Sequence, residues 1–388
     1  MRLALTPDPR YGTEYSADAS RILRRDDFEK AYDFVRLLPG YEPTPLLESN
    51  ILADECRVSS VLIKNEGNRA PTHSFKVLGP PYALARQLLS RLGLSLQSSK
   101  ELTLKKLKPA LQGITVCAAT SGNHGRALAW AATEFGCRCQ IYMPESTGAY
   151  REGKIQRFGG ATIRVPGTYD ESVARAVRES EEHGYVLVGD GARPGSNILR
   201  HIIHGYSVLG EELISEIQAG SVPTHVFVPA GSGSLAAAVT ARLWMEFGRN
   251  QPKTVIVEPH AADSGYQSCL NSRRVASQGD LATMMDGLSV RETSTDAWMI
   301  LSGGAFAFIT IDDDSALAML KTLAQDSRLA IGETGLAALA AFRAAENDPD
   351  VRRRLRLDED SRVILIATEG VTDPHVVNSL LSDSDILT

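Results

Sequence analysis

Two short segments of the chain carry residues suited to covalent chemistry. The first, Ser74–Gly79, reads SFKVLG, and Lys76 opens an apolar run that we predict to be helical. A lysine in such a run is expected to lie in a dry site, where burial lowers the pKa of the amine and makes it nucleophilic. Such an amine forms a Schiff base with an aldehyde such as pyridoxal phosphate (PLP). For this segment alone, a surface lysine with a snorkelling side chain is the alternative.

The second segment, Thr120–Gly125, begins 44 residues after Lys76 and reads TSGNHG. Its small residues precede a predicted helix, so backbone N–H groups and hydroxyls there form a cradle for a carboxylate. We interpret His73 and His124, which flank the two segments, as structural rather than catalytic. The residues predicted to bind a substrate in this cradle are Thr120, Ser121, Gly122 and His124.

A third segment has the pattern of a phosphate site. A predicted strand over 224–229 leads into the loop Ala230–Ser234, which reads AGSGS, and a predicted helix over 235–247 follows. A strand, a loop of small residues and a helix start bring free N–H groups and the positive end of the helix dipole to a phosphate. The residues predicted to hold it are Gly231, Ser232, Gly233 and Ser234.

The same loop also fits another class of cofactor. Gly231, Gly233 and Ala236 match the glycine fingerprint of dinucleotide-binding folds, and Glu258 ends the next predicted strand, where a ribose-binding acid would stand. This nicotinamide interpretation leaves Lys76 and the 120–125 segment without a role, whereas a PLP site uses all three segments.

Three further residues would complete a PLP site. Asn123 carries an amide that suits the ring oxygen O3′, although a helix N-cap is the alternative role. Thr368 follows a predicted strand at a sheet's carboxyl edge, where ligands gather, and a hydroxyl at the ring nitrogen favours elimination at Cβ over transamination. Asp190 also follows a predicted strand, and we expect it either to contact a substrate amine or act as a second acid, or to bond its own backbone.

Composition limits the classes of function. The 388 residues allow two or three domains, and a hydrophobic content of 43% supports a large core. A net charge of −6 without a long basic run argues against nucleic acid as a partner, and the basic stretch 100–108 is interpreted as a solvated surface insertion. No apolar run approaches the roughly 20 residues of a membrane span, and the chain start lacks a signal-peptide core. Five scattered cysteines predict a reducing cytoplasm and no metal site.

Short apolar strands alternate with helical patterns over most of the chain. The alternation is clearest in the predicted strands 114–118, 138–143 and 161–165 and the helices 123–134, 148–158 and 170–182. It predicts an α/β fold of mostly parallel sheets with helices on both faces. Pro80–Pro81 and the loop 189–195 are the candidate hinges between two lobes.

These motifs resemble those of the fold-type II PLP enzymes, the tryptophan synthase β-like group, and within it the diaminopropionate ammonia-lyases. The resemblance runs from about Tyr41 to Pro374, and its most specific stretches are FKVLG at 75–79, GNHGR at 122–126 and CQIYMP at 139–144. It implies a two-lobed fold in which residues 1–78 and 191–388 form a large PLP-binding domain and residues 79–190 a small mobile domain. It also implies a homodimer.

The resemblance further implies a reaction. PLP held by Lys76 would assist the loss of the Cα proton and of the β-amine from diaminopropionate, which ends as pyruvate and ammonia. Enzymes of this family are expected to accept both isomers, with the lysine as base for one and an aspartate for the other. This chain has Ser121 where the family has that aspartate, so we predict a preference for the L-isomer. The catalytic candidates are therefore Lys76, Asp190 and Ser121.

Two other functions are consistent with the same residues. A serine/threonine dehydratase or a β-replacement enzyme would use this PLP machinery with a different leaving group. A PLP-binding paralogue without turnover would act as a binding or regulatory protein, and the intact Lys76 argues against it. No further domain is predicted after the helix that begins near Pro374, which argues against an allosterically regulated threonine dehydratase.

Overall fold

The computed structural model describes residues 1–8, 10–94, 104–189, 196–217, 222–323 and 329–382. The chain forms two compact units: unit 1 is Met1–Arg25, Tyr41–Phe75 and Tyr206–Thr388, and unit 2 is Asp26–Gly40 and Lys76–Gly205. Unit 2 includes the stretches 26–40, 76–78 and 191–205, which were assigned to the predicted large domain. The predicted division into a large and a small mobile domain stays a prediction.

Helices and strands alternate along the chain. The strands are β1 (Arg2–Leu5), β2 (Leu46–Glu48), β3 (Ser60–Asn65), β4 (Thr115–Ala119), β5 (Arg138–Pro144), β6 (Gly160–Val165), β7 (Val186–Leu187), β8 (His225–Pro229), β9 (Lys253–Pro259), β10 (Ala307–Ile311) and β11 (Arg362–Ala367). The helices are α1 (Ala17–Ser20), α2 (Arg25–Val35), α3 (Asn50–Glu55), α4 (Gly79–Arg91), α5 (Leu104–Leu111), α6 (Asn123–Phe135), α7 (Ala149–Arg157), α8 (Tyr169–His183), α9 (Ile198–Glu216), α10 (Ser234–Phe247), α11 (Ser264–Asn271), α12 (Thr295–Gly304), α13 (Asp313–Leu323), α14 (Ala337–Glu346), α15 (Pro349–Leu355) and α16 (Pro374–Ser382). None of the helices in the described ranges is long and apolar enough to span a membrane.

Unit 1 is built on a seven-stranded sheet in the order β1-β10-β9-β8-β11-β3-β2. The five central strands are parallel, and the short edge strands β1 and β2 pair antiparallel. Every residue of β8 and β10 is buried, which explains their continuous apolar sequences. The carboxyl ends of the parallel strands meet at one edge, so the segments that follow β3, β8 and β11 are neighbours there.

Unit 2 contains a four-stranded parallel sheet in the order β6-β5-β4-β7. β4 is buried throughout, and the alanine-rich helix α6 that follows it packs against β4, β5 and β6. The loop after β4 and the loop after β7 leave the same edge of this sheet, because the two strands are adjacent and parallel. Both sheets confirm the predicted α/β class with mostly parallel strands.

The structure corrects the prediction of a helix that begins at Lys76. Phe75–Val77 forms a 3-10 turn, and α4 begins only at Gly79. The cause lies in Pro80 and Pro81, because proline lacks an N–H and is tolerated only in the first turn of a helix. The two prolines, predicted as a hinge, are buried in the first turn of α4.

Candidate active site

The predicted phosphate loop lies at the carboxyl edge of the unit 1 sheet. It connects β8 to α10, and Gly233 is the N-cap residue of α10, with no side chain capping the helix. The N–H groups of the first turn of α10 therefore have no side-chain cap. Helix starts of this kind bind anions. Ser232 and Ser234 add hydroxyls that lie 3.3 Å apart.

Close packing explains the two glycines of this loop. Gly233 has φ of +81°, and a Cβ there would lie 3.0 Å from Cγ2 of Thr293 and 3.2 Å from Cβ of Ala297. A Cβ on Gly231 would lie 2.9 Å from Cγ2 of Val290. The segment that crowds the loop also holds it, since the Ser294 N–H donates to the carbonyl oxygen of Ser232 at 2.9 Å. No sequence pattern pointed to Thr293 or Ser294, because their role depends on a contact between distant parts of the chain.

Thr368 lies directly after β11, the neighbour of β8 in the sheet. Its side chain is buried, and Oγ1 has no hydrogen-bond partner among the described residues. A buried hydroxyl without a partner is costly unless a ligand supplies one. Its backbone carbonyl accepts from the Phe75 N–H at 3.2 Å, so the chain directly before Lys76 is attached to Thr368.

Lys76 is the first residue of the second stretch of unit 2, Lys76–Gly205, and is half-buried in the 3-10 turn. The segment that leads to it is tightly held in unit 1. Ser74 forms an isolated bridge with Glu369, and the Gly370 N–H donates to the carbonyl oxygen of His73 at 3.0 Å. The His73 ring donates from Nδ1 to the carbonyl oxygen of Gly67 at 2.9 Å, which agrees with the structural role predicted for this residue.

The predicted carboxylate cradle lies at the carboxyl end of β4 in unit 2. Gly122 is the N-cap of α6, and no side chain caps the helix. Thr120 is buried, and its Oγ1 accepts from the Gly122 N–H at 3.2 Å, which shapes the turn. Ser121 and Asn123 are half-buried. Asn123 is the first residue of the helix and not its N-cap, so the alternative role considered for it is wrong.

His124 ties α6 to the end of β7. Its Nε2 donates to the carbonyl oxygen of Val188 at 2.7 Å, and a Cβ on Gly189 would lie 3.3 Å from the same nitrogen. This contact fixes the start of the loop that carries Asp190. Asp190 itself lies outside the described residues, and so do positions 191–195 of the predicted hinge loop.

Glu258 does not serve as the ribose-binding acid of the nicotinamide alternative. Its two carboxyl oxygens accept from the backbone N–H groups of Gly265 and Tyr266, each at 2.8 Å, at the start of α11. Burial raises the pKa of Glu258 to about 8, although the two N–H donors favour its ionised form. Its role in this structure is therefore to hold α11 against β9. Within the described ranges, no group of three or more His, Cys, Asp or Glu side chains is arranged to hold a metal ion.

Residues 37–369 match the family model of the pyridoxal-phosphate dependent enzymes. The chain belongs to this family, which confirms the predicted cofactor. It is also 32% identical over 369 residues to the diaminopropionate ammonia-lyase of Escherichia coli K12, covering 92% of each chain. The crystal structure of the holo form of the E. coli enzyme has a TM-score of 0.89 at 30% identity, covering 99% of this chain and 97% of that chain. Its complex with D-serine has a TM-score of 0.88 at 29% identity, with the same coverage. The resemblance to diaminopropionate ammonia-lyases and the fold-type II architecture are thus confirmed.

Proposed function

We propose that the chain catalyses a PLP-dependent α,β-elimination, with L-diaminopropionate as substrate and pyruvate and ammonia as products. The observation that carries the proposal is the buried hydroxyl of Thr368, which lacks a hydrogen-bond partner in the part of the chain that the structure describes. Thr368 follows the central strand β11, and its backbone carbonyl oxygen accepts from the N–H of Phe75, directly before Lys76. The similarity to an ammonia-lyase supports the leaving group, and the relative's complex with D-serine supports a small amino acid as the class of substrate.

The residues of this chain fit PLP. In the proposal, Lys76 binds the cofactor covalently, the loop 231–234 and the α10 start hold its phosphate, and Thr368 meets the ring nitrogen. Asn123 contacts the ring oxygen O3′. PLP supplies an electron sink for the charge that develops at Cα of the substrate.

The protein side chains then have separate tasks. The α6 start, with Thr120, Ser121, Gly122 and His124, binds and orients the substrate carboxylate, because uncapped N–H groups and the helix dipole favour an anion. Once the α-amine of the substrate has displaced Lys76 from the cofactor, the freed Lys76 amine takes the Cα proton. The electron pair of the Cα–H bond forms the Cα–Cβ double bond, and the Cβ–N bond breaks. The β-amine leaves with a proton as ammonia, and Asp190 is proposed as the acid that contacts it. Hydrolysis of the remaining enamine gives pyruvate and a second ammonia.

A substrate panel tests this function. Purified protein is given L- and D-diaminopropionate, L-serine, L-threonine and O-acetyl-L-serine, and both ammonia and 2-oxo acid are measured. We expect turnover of L-diaminopropionate well above that of the other four compounds. Faster turnover of serine or threonine would assign a dehydratase, and turnover of O-acetylserine only with an added nucleophile would assign a β-replacement enzyme. PLP binding without turnover of any compound would assign a binding protein.

From the resemblance we also propose a homodimer in the cytoplasm.

Replacing Gly233 with alanine should lower both stability and PLP content. Alanine at φ of +81° costs about 1–2 kcal/mol of folding free energy, and its Cβ meets Thr293 and Ala297, so the loop must move. The matched control is Gly184→Ala, since Gly184 has φ of +69° with nothing within 4 Å of a Cβ. Thermal unfolding and absorbance of bound PLP check the two variants. Equal stability losses with full PLP content in both would show that Gly233 only shapes a turn.

A further inference from the structure

One helix, α9, contacts the segment around Lys76 at three successive places. α9 spans Ile198–Glu216, and none of its residues has a role in the function proposed above. One contact lies after Lys76 and within unit 2, and two lie before Lys76 and within unit 1.

The contact after Lys76 is made by the backbone of Gly205. A Cβ on Gly205 would lie 2.4 Å from the carbonyl oxygen of Leu78 and 2.7 Å from Cα of Gly79. Only glycine allows this approach, because backbone atoms on the other side cannot move away as a flexible side chain would. α9 therefore abuts the chain two residues beyond Lys76.

The contact directly before Lys76 is aromatic. The ring of Tyr206 is buried, and its centroid lies 4.8 Å from that of Phe75, with the two planes tilted by 59°. Tilted aromatic pairs at this separation attract each other in addition to the apolar area they bury. Phe75 thus has a fixed partner on α9 on one side, and its N–H is bonded to Thr368 on the other.

The third contact is a buried ion pair seven residues before Lys76. Arg69 donates from Nη1 and Nη2 to the two carboxyl oxygens of Glu212, at 2.8 and 2.7 Å. It also donates from Nε and Nη2 to Glu66, at 2.8 Å each, so two carboxylates hold one guanidinium in bidentate pairs. All three side chains are 1% exposed or less.

Lys64 extends this buried network to a second glutamate on α9. Its Nζ lies 3.0 Å from Glu212 and 2.7 Å from Glu216. Burial disfavours the ionised form of Glu212, but Arg69 and Lys64 outweigh it and hold the pKa of this carboxyl below its ordinary range. A network of buried charges tolerates few geometries, because a displaced partner leaves a charge without compensation.

We infer that α9 positions Lys76, with Gly205, Tyr206 and Glu212 as positioning residues that act through the segment 69–79. The inference rests on the proposed covalent role of Lys76. Gly205 contacts the backbone after the lysine within unit 2, and Tyr206 and Glu212 contact the segment before it within unit 1. These contacts restrict the backbone next to Lys76 and so restrict the positions that its amine can reach. In the sequence, only two spacings indicate this ion-pair network, and neither is specific. Glu212 and Glu216 stand four residues apart on one helix face, and Glu66 stands three residues before Arg69.

A double-mutant cycle on PLP affinity tests the inference. Glu212→Gln is made in the protein with Lys76 and in the Lys76→Ala background, where PLP binds without the covalent bond. If Glu212 acts through the lysine, we expect the dissociation constant of PLP to rise about tenfold with Lys76 present and less than about twofold without it. The matched control is Glu211→Gln, the same change at the preceding residue of α9, which breaks the ion pair of Glu211 with Arg242 instead. We expect it to leave PLP affinity unchanged in both backgrounds.

Tyr206→Leu provides a second cycle if Glu212→Gln fails to fold, since it removes the ring contact with Phe75 and keeps an apolar side chain. The same dependence on Lys76 is expected. Equal effects in the two backgrounds, or none in either, would overturn the inference, because a purely structural residue weakens PLP binding whether or not the lysine is present. Borohydride reduction of the unmodified protein distinguishes a failure of this inference from a failure of the proposed function. A pyridoxyl group absent from Lys76 would reject the proposed function, and the inference with it.

Discussion

Replacing Lys76 with alanine should abolish turnover of L-diaminopropionate while the protein stays folded. The change removes both the amine that binds PLP covalently and the base that takes the Cα proton, and the base alone is typically worth about 10²–10⁴-fold in rate. Folding should be little affected, because Lys76 is only half-buried and lies in a short 3-10 turn. Ammonia release, thermal unfolding and peptide mapping after borohydride reduction check the three parts of this expectation.

The control for this variant is Lys154→Ala. Lys154 is also half-buried, but it lies on α7 over the ring of Tyr150, away from the predicted site residues in sequence. It should keep full activity and a pyridoxyl group on Lys76 after reduction. A label on another lysine in the unmodified protein, or substantial activity in Lys76→Ala, would contradict the role proposed for Lys76.

Replacing Ser121 with aspartate should raise turnover of D-diaminopropionate. Ser121 is half-buried in the turn before α6, and its neutral hydroxyl is a poor base near pH 7, whereas a carboxylate accepts a proton there. If Lys76 takes the proton from one face of the substrate, the added carboxylate supplies a base for the other. We expect a gain of about 10²-fold for the D-isomer, at the low end of general-base assistance. Initial rates with the two isomers before and after the substitution measure it.

The control for charge is Ser121→Asn, which has nearly the size of aspartate without a basic carboxylate. It should leave the D-isomer rate as low as in the unmodified protein. The competing base is Asp190, which stands three positions after the end of β7 in the sequence. Comparable turnover of both isomers by the unmodified protein, with D-isomer turnover lost on Asp190→Asn, would contradict the argument from Ser121 and assign the second base to Asp190.

The two turns of the candidate site could be predicted because each is local in the chain. The loops 120–123 and 230–234 each join a buried strand to a helix, and the structure has both junctions at the expected residues. Small residues at such junctions leave helix N–H groups uncapped, and this property needs no distant partner. The α/β class could likewise be predicted from the alternation of strands and helices, because each strand or helix pattern depends only on neighbouring residues.

Predictions were wrong or missing where a residue depends on a distant partner. β1 was not predicted, and it exists because it pairs with β10, as in the bond between Arg2 and Thr310, which are 308 positions apart. Glu258 fits a ribose acid in sequence, but in the fold its carboxyl oxygens are taken by the start of α11. The helix predicted to begin at Lys76 was wrong for a local reason instead, because the two prolines that follow delay the helix start.

The sequence by itself determined the cofactor, through the match of residues 37–369 to its family. It also predicts the residues that would serve it: an amine at Lys76, an anion cradle after β4, a phosphate loop after β8 and a hydroxyl at Thr368. These follow from residue types and short-range backbone geometry, which a few neighbouring positions specify. Only the tertiary structure decided which buried charges compensate one another, as Lys64 and Arg69 do with Glu212. A buried charge is stable only when it has a partner of opposite sign. Lys64 on β3 and Glu216 on α9 are 152 positions apart in the chain, so they can pair only after the chain has folded.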